Sequence, residues 1–301
     1  MNTSLVMGAD IGGSHVSTSL VNINEGLPVA GSGVRAELNS RGTADDILST
    51  CSNAIRQSLS TVNGKLIPIG IAMPGPFDYE NGISLIRDQD KFRALYQLDL
   101  KKELAARLSI DVSLIHFMND ACAFLEGELL GGAVRDGRNV MGITLGTGLG
   151  SAFRAETEVV DANLWCAPYK DGIAEDYLST RWFVARYEEL TGKTITGVKE
   201  LAQREGKDQA VAGIFREFAE NLGGFIAVQY KQHQYSSIVI GGNITKAAKL
   251  FVPHLDQFLA ATAPGAVYCL SSLGENAALT GAAGMALRQS GRFVKQVGNL
   301  R

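Results

Sequence analysis

The chain opens on a strand-period pattern. Leu5, Met7, Ala9 and Ile11 alternate with Val6, Gly8 and Asp10, and a period of two predicts a β-strand. Gly12 and Gly13 follow, and then Val16, Thr18 and Leu20 alternate again, so the segment reads as a hairpin with a glycine turn. The period then changes. Thr43 suits a helix N-cap, Asp45 and Asp46 suit the positive end of the dipole, and Ile47, Cys51, Ile55 and Leu59 recur every four residues, predicting a helix near 43–59. The run "LIPIGIAM" predicts a buried strand stopped by Pro74, Gly75 and Pro76. A helix near 99–108 and a strand near 112–118 close the first half.

Asn119 and Asp120 open the second half with a helix through "ACAFLEGELLGG". The stretch "NVMGITLGTGLGSAFRA" is again strand, glycine turn and strand. Helices are predicted near 174–190 and 208–231, then the strand "SIVIGG", a helix from Thr245 to about Ala261, the strand "AVYCL" and a last helix from Asn276. Alternating strands and helices predict layered α/β architecture. The two glycine hairpins, one near the start of each half, are the nearest approach to an internal repeat, and two similar halves meeting at a cleft is the natural reading.

Composition narrows the function classes. Of 301 residues 46% are hydrophobic, and the net charge is -3, values of a globular chain long enough to bury a real core. No apolar run reaches the ~18 residues of a membrane span, and "MNTSLVMGAD" lacks the pattern of a secretory leader, which leads to the expectation of a cytoplasmic protein without a membrane partner. With 28 basic against 31 acidic residues and no basic run, general electrostatic binding to nucleic acid is not expected. Cys51, Cys122, Cys166 and Cys269 form no C-x-x-C pair, arguing for reduced thiols and against a zinc knuckle. His15, His116, His233 and His254 show no metal-ligand spacing. Glycine is in excess, 34 of 301 against a usual ~7%, and it clusters where chemistry can sit.

A glycine turn between strands lets phosphate oxygens approach backbone N–H groups, with no side chain between. Ser14 and Thr147 add hydroxyl donors at the two turns, and Asp10 stands where a carboxylate can hold magnesium through water. Each turn taken alone also reads as an ordinary hairpin. Neither a Walker P-loop nor a complete G-x-G-x-x-G is present. Asp120 follows an apolar strand and opens a helix, an edge position that faces ligands in open α/β sheets. It can accept a proton from a substrate hydroxyl that Asn119 orients; equally, Asn-Asp can simply cap the helix. Gly241 and Gly242, between strand and helix, can lie against a flat ring such as adenine or serve only as a turn. Glu175 reads as an acid in the first turn of a helix.

Together these segments resemble the ROK family of sugar kinases and repressors, within the actin-like and hexokinase-like ATPase superfamily. "GADIGGSHVSTSLVN" is similar to the family's first phosphate loop, "GIAMPGPFD" to its sugar-side loop, and "FMNDACAFLEGE" to its catalytic Asn-Asp and following helix. "GITLGTGLGSAF" resembles the second phosphate loop, "IVIGGNI" the adenosine segment and "LGENAALTGAAGMAL" the C-terminal helix. The resemblance covers nearly the whole chain, and it implies a two-lobed α/β fold with a cleft. Residues 1–118 would form a smaller N-terminal lobe, with a C-terminal helix at about 287–301 packing back on it, and 119–286 a larger C-terminal lobe. It also implies ATP-dependent phosphorylation of a hexose or N-acetylhexosamine, glucokinase-like, and a homodimer as a family-level expectation. Asp120 would be the base. Asn119, Gly75, Pro76 and Glu175 would hold the sugar. Asp10 would organise magnesium, Gly12, Gly13, Ser14, Gly146, Thr147 and Gly148 would surround the phosphates, and Gly241 and Gly242 would face the adenosine.

The departures from the family pattern matter. Many members carry Gly-Glu-x-Gly-His, a cysteine-rich zinc loop and a later sugar-contacting Glu. Here that stretch is "VVDANLWCAPYKDGIAEDYLS". Cys166 stands alone, so no zinc is expected. Glu175 fits the later Glu, while Asn163 and Cys166 fall closest to the earlier Glu and His when Pro168 is aligned. "ISLIRDQDKF" also matches no family pattern. Because the first phosphate loop begins within ten residues of the start, the winged-helix domain of the repressors is not expected. Two rivals remain: a sugar-binding or regulatory protein with weak turnover, motivated by the altered loop, and a nucleotide-binding oxidoreductase, against which the missing dinucleotide fingerprint counts. The particular sugar and the hydroxyl attacked are not read from the sequence.

Overall fold

In the computed structural model, which describes residues 5–62, 67–155 and 157–298, the alternating N-terminal pattern becomes a hairpin. β1 (Leu5–Ile11) pairs antiparallel with β2 (His15–Asn22), and the short β3 (Leu27–Pro28) and β4 (Val34–Glu37) both extend β2. α1 (Ala44–Leu59) begins where the sequence predicts. Asp46 N–H donates to Thr43 Oγ1 at 3.2 Å while the Asp46 carboxylate accepts from the Thr43 backbone at 3.3 Å, a reciprocal capping box that satisfies donors the helix cannot. Its stripe of Ile47, Cys51 and Ile55 is buried with Met7, Ala9 and Ile11 of β1.

β5 (Ile69–Met73) runs parallel to β1. Of the predicted strand over 66–73, residue 66 lies outside the described residues. The small hairpin of β6 (Phe77–Asp78) and β7 (Ile83–Ser84) and the helix α2 (Leu100–Leu108) follow. The strand predicted from 112 starts later, because Asp111 accepts from Ser113 N–H at 2.8 Å and holds Val112–Leu114 in a 3-10 turn. β8 (Ile115–Asn119) then pairs parallel with β5, and α3 (Asp120–Leu130) leaves it directly. The sheet order is β3-β2-β1-β5-β8, with β4 also on β2.

A second compact unit comprises Gly137–Gly274. β9 (Val140–Leu145) and β10 (Leu149–Ala155) form its hairpin, which β11 (Glu158–Asp161) extends. After β12 (Pro168–Tyr169) and β13 (Gly172–Ile173), the helix predicted over 174–190 is broken into α4 (Ala174–Tyr177) and α5 (Thr180–Thr191). The break has a cause: Ser179 is extended, and Thr180 spends its N–H on Gly146 O at 2.8 Å rather than on a helical carbonyl. α6 (Val198–Ala202) and α7 (Gln209–His233) lead to β14 (Ser237–Gly241), parallel to β9. A 3-10 turn over Asn243–Ala247 precedes α8 (Ala248–Thr262), so the helix expected from Thr245 starts three residues on, and β15 (Tyr268–Leu270) completes the order β11-β10-β9-β14-β15. Phe183, Phe215, Phe218 and Phe251 dominate the core of this unit.

α9 (Ala277–Gly298) returns to the first unit, which holds the chain up to Asp136 and again from Glu275. It lies backbone-close on the sheet. A Cβ at Gly70 would stand 1.9 Å from Ala282 O, and one at Gly281 would stand 1.9 Å from Ala123 O in α3. Only glycine permits that approach. Ala72, Ala123 and Ala282 fill the contact between β5, α3 and α9, and Arg288 pairs with Glu126 at 2.6 Å. This corrects the expected division at 118/119. α3 belongs with the first unit because its small residues seat it on α9, and the first unit, not the second, holds more of the chain. The last helix starts at Ala277, next to the expected Asn276, and the part that packs back begins there rather than near 287; residues 299–301 of that expected segment lie outside the described residues. Among the described residues no helix is long and apolar enough to cross a membrane.

Candidate active site

Three parallel strands of the first unit end together. Asp10 of β1 is level with Ala72 of β5, and Ala72 with Met118 of β8. The carboxyl edge of this sheet therefore gathers Asp10 and the Gly12–Ser14 turn, the Gly75-Pro76 loop, and Asn119-Asp120. Carboxyl ends of parallel strands are where open α/β sheets bind ligands. Gly12 N–H donates to His15 O at 3.0 Å to close the first turn, leaving Gly13 and Ser14 exposed. An open cavity of about 820 Å³ lies beside it, lined among others by Ser14, His15, Arg35 and Asn39.

The Asn119-Asp120 junction does both things the sequence allowed. Asn119 is the N-cap: its Oδ1 accepts from Ala121 N–H at 2.9 Å and Cys122 N–H at 3.1 Å. Its amide nitrogen donates to Tyr79 Oη at 3.3 Å, and the Tyr79 hydroxyl donates to Met73 O at 3.0 Å. Asp120 is thereby the first helical residue, half-buried, with its Oδ1 accepting from Ala121 N–H at 2.9 Å. Nearby, Gln89 Nε2 donates to Gly75 O at 3.0 Å, and the Gly75-Pro76 peptide is cis. Tyr79 and Gln89 are supports that sequence reasoning missed. Tyr79 lies in the same "PGPFDYENG" run as Gly75 and Pro76, a signal that was available; Gln89 lies in a stretch with no recognisable pattern.

Electrostatically this edge is anionic. Burial pushes the Asp10 carboxyl up to about 7, the neighbouring Asp120 charge adds to the rise, Arg35 opposes it and Glu275 adds to it. Arg35 reaches this place through register, with Asp10 opposite Ser17 and Ser17 opposite Arg35, and its guanidinium pairs with Glu275 at 2.6 Å. A carboxyl that burial holds up to neutral pH, with a second carboxylate adding to the rise, marks a site short of positive charge. Carboxylate oxygens at a phosphate-sized turn are the donor chemistry magnesium takes, usually through retained water, so Asp10 fits that role. Among the described residues no group of three His, Cys, Asp or Glu side chains forms a metal cage. Cys166 is exposed in its 3-10 turn, with its thiol on Asn163 O.

The second unit carries the other expected residues. Gly146 N–H donates to Gly148 O at 3.0 Å, and Gly146 O accepts from both Thr180 N–H at 2.8 Å and its hydroxyl at 2.9 Å. Thr147, at the tip, is exposed. Gly241 is opposite Thr144 at the end of β14, and Gly242, with φ of 89°, packs so closely on β9 that a Cβ would stand 2.3 Å from Leu145 O. The structure thus brings the second glycine turn and the Gly241-Gly242 pair together at one sheet edge. Glu175 belongs to this group as well. Its Oε2 accepts from Leu149 N–H at 2.9 Å, its other oxygen pairs with Arg181, and a Cβ on Gly148 would stand 2.4 Å from Oε2.

The ROK family model matches residues 6–161 and 157–289. The chain is 34% identical to a glucokinase of Thermotoga maritima over 146 residues, 48% of this chain and 43% of that one. It is 24% identical to an N-acetyl-D-glucosamine kinase of Vibrio cholerae over 205 residues, 59% of this chain and 65% of that one. The matched parts thus span less than two thirds of the length of either relative. A ROK glucokinase structure from Streptomyces griseus, in complex with glucose and AMPPNP, superposes with a TM-score of 0.75 at 22% identity, covering 94% of this chain and 99% of that one. The shared fold is mixed α/β.

Proposed function

The chain belongs to the ROK family, and from that premise we propose that it transfers the γ-phosphoryl group of ATP to a hydroxyl of a hexose or an N-acetylhexosamine. The observation that carries the reading is the convergence of Asp10, the Gly12–Ser14 turn, the Gly75-Pro76 loop and Asn119-Asp120 at one sheet edge. A second glycine turn and Gly241-Gly242 lie at the matching edge of an identically ordered sheet. The names of the Thermotoga and Vibrio relatives support the substrate class.

In this mechanism the Asp120 carboxylate accepts the proton of the attacking sugar hydroxyl. The sugar oxygen forms its bond to the γ-phosphorus as the bond from that phosphorus to the bridging oxygen breaks, and the electron pair leaves on ADP. Asp120 stands in the first turn of α3, at the end of the helix dipole that favours negative charge. Asn119, locked as the cap and braced by Tyr79, fixes where Asp120 points, and the remaining N–H of its amide, which has no partner among the described residues, would hold the sugar. Gly75 and Pro76 offer backbone groups to the same ring. The N–H groups of Gly13, Thr147 and Gly148, with the Ser14 and Thr147 hydroxyls, face phosphate oxygens, while Gly12 and Gly146 spend their own N–H groups on closing the two turns. Asp10 would hold magnesium through water, and the ion would neutralise charge on the β- and γ-phosphates. Phosphoryl transfer asks for positioning and charge neutralisation more than for covalent chemistry, and this set supplies both. Glu175, drawn to Leu149 N–H and Arg181, is the acid to which the resemblance gives a sugar contact.

The test is ADP release from ATP–magnesium across a panel of hexoses and N-acetylhexosamines, with the phosphorylated product identified by mass. Stimulation by one class of sugar is the expected outcome and names the substrate. ATP binding without stimulation by any sugar would instead favour the regulatory reading.

A further inference from the structure

The segment after the sugar-side loop matches no family pattern, yet it is firmly held. Phe92 is fully buried with φ of 60°, and its N–H donates to Ser40 O at 2.7 Å. That anchor fixes its neighbour Lys91, which is half-buried. The Lys91 side chain runs along the first glycine turn: a Cβ added to Gly13 would meet Lys91 Cδ at 3.4 Å and Ser40 Oγ at 3.8 Å. The ammonium stands two bonds past Cδ, roughly 2.5 Å further by ordinary bond lengths. It therefore ends within reach of an anion seated on the N–H groups of that turn.

Two neighbouring cations are already engaged. Arg41 is paired with Asp90 at 3.2 Å, and Arg35 with Glu275 at 2.6 Å. Lys91 makes no ion pair or hydrogen bond among the described residues. A lysine stem that merely covers apolar surface explains the packing on Gly13 but gives no reason to hold an unpaired charge there. The same sheet edge carries Asp10 and Asp120, and no residue assigned so far brings a positive side chain to the transferred group. Charge in phosphoryl transfer spreads over the three equatorial oxygens, and a lysine ammonium is a compact point charge suited to them.

We propose that Lys91 is a phosphate-contacting residue that meets the terminal phosphate of the nucleotide over the Gly12–Ser14 turn. The proposal rests on the kinase reading above. Its test uses the full chain and the variants Lys91→Met, which keeps the stem and removes the charge, and Lys91→Arg, which keeps the charge. Affinities for ATP–magnesium and for AMP are measured by titration calorimetry, beside sugar-dependent ADP release. Lys91→Met is expected to weaken ATP about tenfold, in line with loss of one charge-assisted contact, and to leave AMP unchanged. Turnover falls by about 100-fold, and Lys91→Arg restores most of both. ATP affinity within twofold of the parent in Lys91→Met would overturn the proposal, as would equal weakening of ATP and AMP. A parent chain that binds ATP but phosphorylates no sugar sinks the kinase reading, while Lys91 is still judged on the ATP and AMP affinities. A parent that binds no ATP sinks both.

Discussion

The two units build the same sheet and furnish its edge differently. In each, a hairpin is extended on its outer side and its first strand is joined by two parallel strands, in the orders β3-β2-β1-β5-β8 and β11-β10-β9-β14-β15. Ile11 opposite Val16 and Leu145 opposite Leu149 are the last pairs before each turn, which makes Thr144 the counterpart of Asp10. The first edge carries Asp10 and Asp120; the second offers glycines, Thr144 and Thr147, and its acid, Glu175, is already engaged with Leu149 N–H and Arg181. Packing differs in the same sense. In the first unit α9 lies against strand backbone at Gly8 and Gly70, whereas in the second large aromatic rings fill the core. On the proposed function one frame would serve two tasks: proton and metal chemistry on the anionic edge, and cradling of phosphate and purine on the neutral one.

The largest effect should come from forcing that close packing apart. Gly70→Val drives a branched side chain into Ala282 O of α9 and is expected to cost about 3 kcal/mol or more, read as a lower denaturant midpoint or as failure to fold. A variant as stable as the parent would mean that α9 does not lie where described.

Next comes Asp10→Asn, which should lower kcat/KM for ATP–magnesium by about 100-fold and yet raise Tm at pH 7 without magnesium. The sign follows from linkage. The folded carboxyl is raised from 3.8 to about 7, so between those values the folded chain binds more protons than the unfolded one, and stability declines as pH climbs through that window. Asparagine removes the decline. The difference in Tm between variant and parent should vanish below pH 4, and a parent whose Tm does not fall relative to the variant from pH 4 to 7 would contradict the described environment of Asp10.

A smaller change is expected on the neutral edge. Thr147→Val removes one hydroxyl donor and should weaken ATP about tenfold, the value of a single hydrogen bond to a charged group. A loss as great as that of Asp10→Asn would erase the division of labour between the edges. Smallest is Gly213→Ala in α7, where nothing lies within 4 Å of the added Cβ. It should gain about 0.5–1 kcal/mol through helix propensity alone, a control for the Gly70 result on the opposite unit.

Much of this frame was legible in the chain because its signals are local. Alternation around Gly12 and around Gly146, the Thr43 cap and the Asn119-Asp120 junction each lie within a few residues, and each element forms there. The domain boundary was not legible. The pattern through "ACAFLEGE" says helix, but only α9, distant in sequence, decides which unit α3 joins, through Gly127, Gly281 and Ala123. Arg35 was equally hidden, since its approach to Asp10 depends on the register of the four-residue strand β4 on β2. Tyr79 is a case between: its hydroxyl joins the end of β5 to Asn119, a contact that no periodicity announces. Propensity and turn chemistry specify elements, whereas partners across a sheet are set by tertiary packing.

The central claim is that the anionic edge supplies the base. The most direct measurement is sugar-dependent ADP release by the parent and by Asp120→Asn, with ATP–magnesium affinity determined for both. The account predicts a fall in kcat of about 1,000-fold, the scale of a lost general base, with ATP affinity within about threefold, because Asp120 meets the sugar and not the nucleotide. Turnover near the parent value in Asp120→Asn would contradict it.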